Sequence, residues 1–130
     1  MKRILIIVLV LFTGKLACAQ DLTSSNLPII IINTNGQSIP NEPKITADMG
    51  IIDNGPGVRN KVTDARNNYN GKIGIEVRGS SSQSFPKKQY GVELRDALGN
   101  GISVPLLGMP AEEDWVLFAP YNDKSLMRDV

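Results

Sequence analysis

The sequence predicts an α+β chain made mostly of short strands and closing on the start of a helix. Three observations carry this. Apolar residues alternate with polar ones at period two in several separate windows, as half-buried strands require. Twelve glycines and eight prolines among 130 residues supply the turns between them. Near the end, Asn122 and Asp123 stand where a helix N-cap would, ahead of residues 124–128.

Residues 1–19 read as an export signal. Lys2 and Arg3 give the positive start, and residues 4–12 form an apolar run of nine. That run is too short to span about 30 Å of hydrocarbon as a helix. Ala17-Cys18-Ala19 fits a small-x-small cleavage site with Gln20 as the new N-terminus. The rival assignment, a lipid-modified Cys18, needs an apolar residue where Lys15 stands. The expected product is residues 20–130, the truncated N-terminal part of one domain, secreted or periplasmic and free of the membrane after cleavage.

Composition excludes several chemistries. The signal holds three of the 14 basic residues, so 11 remain against 13 acidic ones, a net charge of −2. No basic excess is left to neutralise a polyanion, and nucleic acid is not an expected partner. With no histidine, Ser-His-Asp catalysis and His-ligated zinc are excluded within this sequence. Its one cysteine lies in the signal, so the remainder forms no disulfide.

Residues 21–26 are polar, and residues 29–32 are four isoleucines, read as a strand buried on both faces. Asn35-Gly36 signals a turn. Residues 39–43 carry two prolines and are extended or turning. Residues 44–52 alternate Ile45, Ala47, Met49 and Ile51 with polar or small residues, a half-buried strand. Residues 53–70 hold five asparagines and little apolar material, and form a surface loop closed by side-chain to backbone hydrogen bonds; Asp53 and Asp64 lack calcium-loop spacing. Asn70-Gly71 signals a second turn.

Residues 72–79 put Ile73, Ile75 and Val77 on one face, Glu76 and Arg78 on the other. Residues 80–86 connect to a strand over 87–95, where Lys88, Tyr90, Val92 and Leu94 share a face. Asn100-Gly101 is a third turn signal, residues 106–110 a tight connector, and residues 115–119 a fifth strand with Trp115 as a core anchor. Among these segments, residues 76–90 concentrate the chemistry. Ser80, Ser81 and Ser82 offer hydroxyls and amides at a hairpin tip, with Arg78, Lys87 and Lys88 at its rims. Such a tip suits phosphate oxygens. A plain solvated hairpin has the same composition, and neither phosphate-loop glycine spacing is present.

Five ordered motifs resemble the CotH kinase family, the spore-coat-protein-H-like atypical kinases. They are Arg78-Gly79-Ser80-Ser81-Ser82, Pro86-Lys87-Lys88-Gln89-Tyr90, Leu106-Leu107-Gly108-Met109-Pro110, Asp114-Trp115-Val116-Leu117 and Asp123-Lys124-Ser125-Leu126-Met127-Arg128. Residues 27–57 also resemble the start of secreted members. The resemblance implies a protein-kinase-like fold, ATP with a divalent metal such as magnesium, and transfer of the γ-phosphate to a protein hydroxyl. It implies a nucleotide-contacting role for Lys88, Arg78, Ser80, Ser81 and Lys87. The family's metal-binding and catalytic aspartates lie beyond the Asp123-Lys124-Ser125-Leu126 stretch, so these 130 residues alone are expected to be an inactive N-terminal portion. A non-catalytic, secreted β-rich binding module is the alternative.

Overall fold

The computed structural model describes residues 21–121. The expected signal and the expected helix over 122–128 lie outside the described residues. Within them the strands in chain order are β1 (Ser24–Ser25), β2 (Ile29–Asn33), β3 (Ile45–Ile52), β4 (Asn60–Lys61), β5 (Tyr69–Arg78), β6 (Gln89–Arg95), β7 (Val104–Pro105), β8 (Ala111–Glu112) and β9 (Asp114–Leu117). Apart from a single 3₁₀ turn, Ser81–Ser84, no helix occurs among the described residues. The strand-rich part of the expected fold is present.

Five strands form one antiparallel sheet in the order β2-β3-β5-β6-β9. The register stacks apolar residues in rows across it. Ile45, Ile75, Val92 and Trp115 form one row; Ala47, Ile73 and Leu94 form the next. Side chains alternate along each strand, so fixing these rows on one face sends the intervening residues to the other. Ile73, Ile75 and Leu94 are fully buried, and Leu106, from the 96–113 connection, closes over the same face.

Two turns follow from local chemistry. Asn35 and Gly36 both take positive φ between β2 and β3, which asparagine and glycine tolerate. Leu107 and Gly108 do the same between β7 and β8, with Met109 N–H donating to Leu106 O.

The structure corrects several expectations. Residues 29–32 are not buried on both faces: β2 is an edge strand, and Ile30 is 39% exposed. A β-branched run reports strand preference, not position in the sheet. Asn70-Gly71 is no turn. It lies within β5, where Asn70 pairs with Gly50 and Gly71 with Met49. The reason is Tyr69, whose ring folds over Gly71 and whose hydroxyl donates to Lys72 O, so glycine here admits a side chain. The third turn spans 96–100, with Gly99 at φ 89, and Gly101 lies past it. Trp115 sits on the edge strand β9, half-buried, and is not a central anchor.

The 53–68 segment is the polar loop expected, with one addition: β4 pairs with β1 to form a small separate ribbon. Its centre is Asn60, 1% exposed. Asn60 Oδ1 accepts from Asn54 N–H at 2.8 Å, and its Nδ2 donates to Leu27 O at 2.9 Å. Asp64 accepts from Lys61 N–H and Asn54 Nδ2, and Asp53 accepts from Gly55 N–H. The carboxylates that could have suggested a cation are thus committed to the loop's own donors.

Asn60→Ala would delete a buried amide side chain and both of its hydrogen bonds, from Asn54 N–H and to Leu27 O. Each hydrogen bond contributes about 0.5–1.5 kcal/mol, and the half-buried Asn54 N–H is left without its acceptor. The expected loss in urea unfolding is about 2 kcal/mol or more, whereas Lys61→Ala next to it, on an exposed side chain, should stay within about 0.5 kcal/mol.

Candidate functional site

The basic, serine-rich segment connects β5 to β6. Seven pairs hold these strands together, from Lys72 opposite Arg95 to Arg78 opposite Gln89. The chain leaves β5 at Gly79, whose φ of 100° belongs to glycine. A Cβ at Gly79 would also collide with Ser82 Oγ. The 3₁₀ turn follows at once, and Ser84 Oγ closes it by donating to Ser81 O at 2.8 Å. Phe85 then stacks on Tyr121, ring centres 5.3 Å apart.

The five residues singled out from sequence fall in this one connection and its strand ends, in different settings. Ser80 and Ser81 are exposed at the tip, and Lys87 is exposed beyond the turn. Lys88 is half-buried, and its ammonium donates to Gln83 O. The strand beyond it keeps the expected phase, with Val92 and Leu94 buried and Tyr90 packed against the core. Arg78 is exposed and opposite Gln89, so the pleat sends it to the face away from Val92 and Leu94. It borders a shallow depression of about 290 Å³ with Lys44, Glu76 and Asp114.

Sequence reasoning missed two side chains in this region and an ion network beside it. Gln83 Nε2 donates to Gly79 O and to Asn41 Oδ1, the latter at 2.5 Å. Asn41 belongs to the 39–43 connection, which is itself tied to β5 by Val77 N–H donating to Pro40 O at 2.7 Å. No short-range motif pairs residues 42 positions apart.

The network lies on the polar face of the sheet. Lys44 Nζ is 2.9 Å from Glu93 and 3.2 Å from Asp114. Arg95 Nε is 2.9 Å from the other Glu93 oxygen. The Arg95 guanidinium lies over Gly74, where a Cβ would come within 2.5 Å of its Cζ. The hydrogen bonds from Arg95 and Lys44 hold the Glu93 carboxyl below its ordinary range, and the bond to Glu93 raises Lys44 above its own. On the apolar face, a cavity of about 210 Å³ is lined by Met49, Ile51, Val92, Leu106, Trp115 and Leu117. With no titratable group among these, it offers no chemistry of its own. Among the described residues no cluster of three or more His, Cys, Asp or Glu side chains could hold a metal.

Residues 75–130 match the family model described as CotH kinase protein, in agreement with the motifs quoted above. The match opens within β5, includes the whole serine-rich connection, and runs past the described residues. No curated protein and no solved structure matches the chain.

The Glu93 network gives a pH dependence with a definite sign. A carboxyl whose folded pKa is depressed adds stability above its unfolded pKa, near 4.3 for glutamate. That stability is lost as pH falls through the depressed folded value. Unfolding free energy should therefore fall below about pH 5, and Glu93→Gln should flatten this acid limb. An unchanged slope in the variant would separate Glu93 from the acid response.

Proposed function

We propose, taking the CotH kinase match of residues 75–130 as premise, that this chain is the nucleotide-contacting portion of an exported, protein-kinase-like phosphotransferase. The γ-phosphoryl of ATP would pass to a hydroxyl of a protein substrate. The bond from the γ-phosphorus to the bridging β-oxygen breaks with its electron pair leaving on ADP, a new P–O bond forms to the hydroxyl oxygen, and the hydroxyl proton is released to solvent. Positioning and charge compensation account for most of the catalysis in such transfers. A bound divalent metal would offset phosphate charge. The described residues do not fit a metal, since their carboxylates do not cluster, and no step here is assigned to it.

The observation that carries the reading is the family-matched hairpin, with a lysine, Lys88, whose ammonium is turned onto the turn and bonds a neutral carbonyl oxygen there, Gln83 O. In this reading a phosphate oxygen takes the place of Gln83 O on Lys88. Ser80 and Ser81 lie exposed on the same turn and would offer hydroxyls and amides; Lys87 and Arg78 would add charge from the rims. In this reading residues 1–19 serve as an export signal and the protein acts outside the cytoplasm.

Lys88→Ala in the full-length protein should weaken Mg·ATP binding about tenfold or more, the range for a hydrogen bond to a charged group. Lys87→Ala should cost less than about threefold. A larger effect at Lys87 would reassign the phosphate contact. Separately, intact mass of secreted material should show an N-terminus at Gln20; a lipid on Cys18 would refute cleavage after Ala19.

A further inference from the structure

We infer that Gln83 and Asn41 are positioning residues for the phosphate-binding turn, acting as a single latch. The inference rests on the nucleotide reading of the hairpin given above.

The Gln83 side-chain amide has two N–H bonds and uses both. One goes to Gly79 O, across the mouth of the turn; the other goes to Asn41 Oδ1, 2.5 Å away in the 39–43 connection. The first contact closes the turn on itself. The second ties it to a segment held from two sides, by Val77 N–H on Pro40 O and by Ile39 packed against the core. The main-chain oxygen of the same residue accepts from Lys88. Gln83 therefore links the lysine, the turn and the body of the sheet.

The turn's own main-chain hydrogen bonds are long, and Ser84 Oγ on Ser81 O is its one short internal contact apart from Gln83. Gln83 N–H reaches Ser80 O at 3.4 Å and Phe85 N–H reaches Ser82 O at 3.2 Å, and no residue of the turn is buried. A four-residue 3₁₀ turn with such bonds would not hold a single conformation alone. When a phosphate takes Lys88 away from Gln83 O, Ser84 still closes the turn internally, and the latch remains as the tie that holds Ser80 and Ser81 to the body of the sheet. Preorganising a binding loop raises affinity by removing ordering cost, without touching the ligand.

The donor and acceptor roles make the test sharp. Asn41 acts through an acceptor oxygen, which aspartate retains. Gln83 acts through a donor, which glutamate lacks, and a carboxylate there would face two oxygens. In the full-length protein, Asn41→Ala and Gln83→Glu should each speed hydrogen exchange at the Gln83 and Phe85 amides about three- to tenfold, while Asn41→Asp keeps it near wild type. The same two disruptive variants should weaken Mg·ATP binding by a similar factor and leave adenosine binding unchanged. Asn41→Ala combined with Gln83→Ala should cost no more than Gln83→Ala alone.

Additive losses, or Gln83→Glu behaving as wild type, would overturn the latch. Faster exchange with unchanged Mg·ATP affinity would make the pair a structural brace and overturn its positioning role. A wild-type protein that binds no Mg·ATP, with exchange still coupled, would overturn the nucleotide reading and this role with it; wild-type binding with an uncoupled pair would overturn this inference alone.

Discussion

Everything in this structure hangs on the register of β5 between β3 and β6. Ile75 stands between Ile45 and Val92, and Ile73 between Ala47 and Leu94. Ile73 and Ile75 are wholly buried, so a slip by one residue would turn both toward water and put lysine or glutamate in the core. Burying two isoleucine side chains is worth about 3–6 kcal/mol, comparable to the net stability of a small domain. That cost makes the register unique. It also fixes where β5 ends, and hence where the serine-rich connection begins.

The same register writes the polar face. With the apolar rows facing one way, Thr46, Gly74 and Glu93 form a row on the other, and Asp114 lies beside Glu93. Gly74 leaves a lane in that row, and the Arg95 guanidinium occupies it. Arg95 and Lys44 then meet on the two oxygens of Glu93. Partly exposed pairs of this kind contribute little each. Their effect is geometric: Lys44, just before β3, bonds to Glu93 on β6 and Asp114 on β9 and so spans the sheet past β5. The glycines at 50 and 74 are thus packing residues on this face, covered by the arginines at 66 and 95.

Much of this was legible in the sequence, and the failures share a cause. Period-two alternation located β3, β5 and β6 and assigned their faces correctly, because alternation is a property of the strand itself. Position within the sheet was not legible. Residues 29–32 and Trp115 look central by composition, yet lie on edge strands, because which strands flank a segment depends on distant pairing. Asn70-Gly71 looked like a turn because that dipeptide favours one locally; seven pairs with β3 outweigh the preference. At the candidate site, motif and charge singled out Arg78, Ser80, Ser81, Lys87 and Lys88, which the fold gathers in one connection and its strand ends. They could not find Asn41, since its link to Gln83 exists only after β5 and the 39–43 connection are brought together.

The hairpin is held differently from the paired strands it joins, and the difference bears on its proposed use. The connection from β5 to β6 spans ten residues, 79–88, with no apolar side chain fully buried among them. A connection whose only task was to reverse the chain could be far shorter. Its order comes from polar contacts instead: Gly79 for the bend, Ser84 on Ser81, Gln83 on Gly79 and Asn41, Lys88 on Gln83. Polar contacts exposed to water are exchangeable at low cost, because each can be replaced by another partner of the same kind. A phosphate is such a partner for Lys88, whereas no anion could replace the apolar rows beneath. The fold thereby joins a segment that can trade hydrogen bonds to a sheet that cannot shift, which is the division of labour a phosphate-handling loop requires.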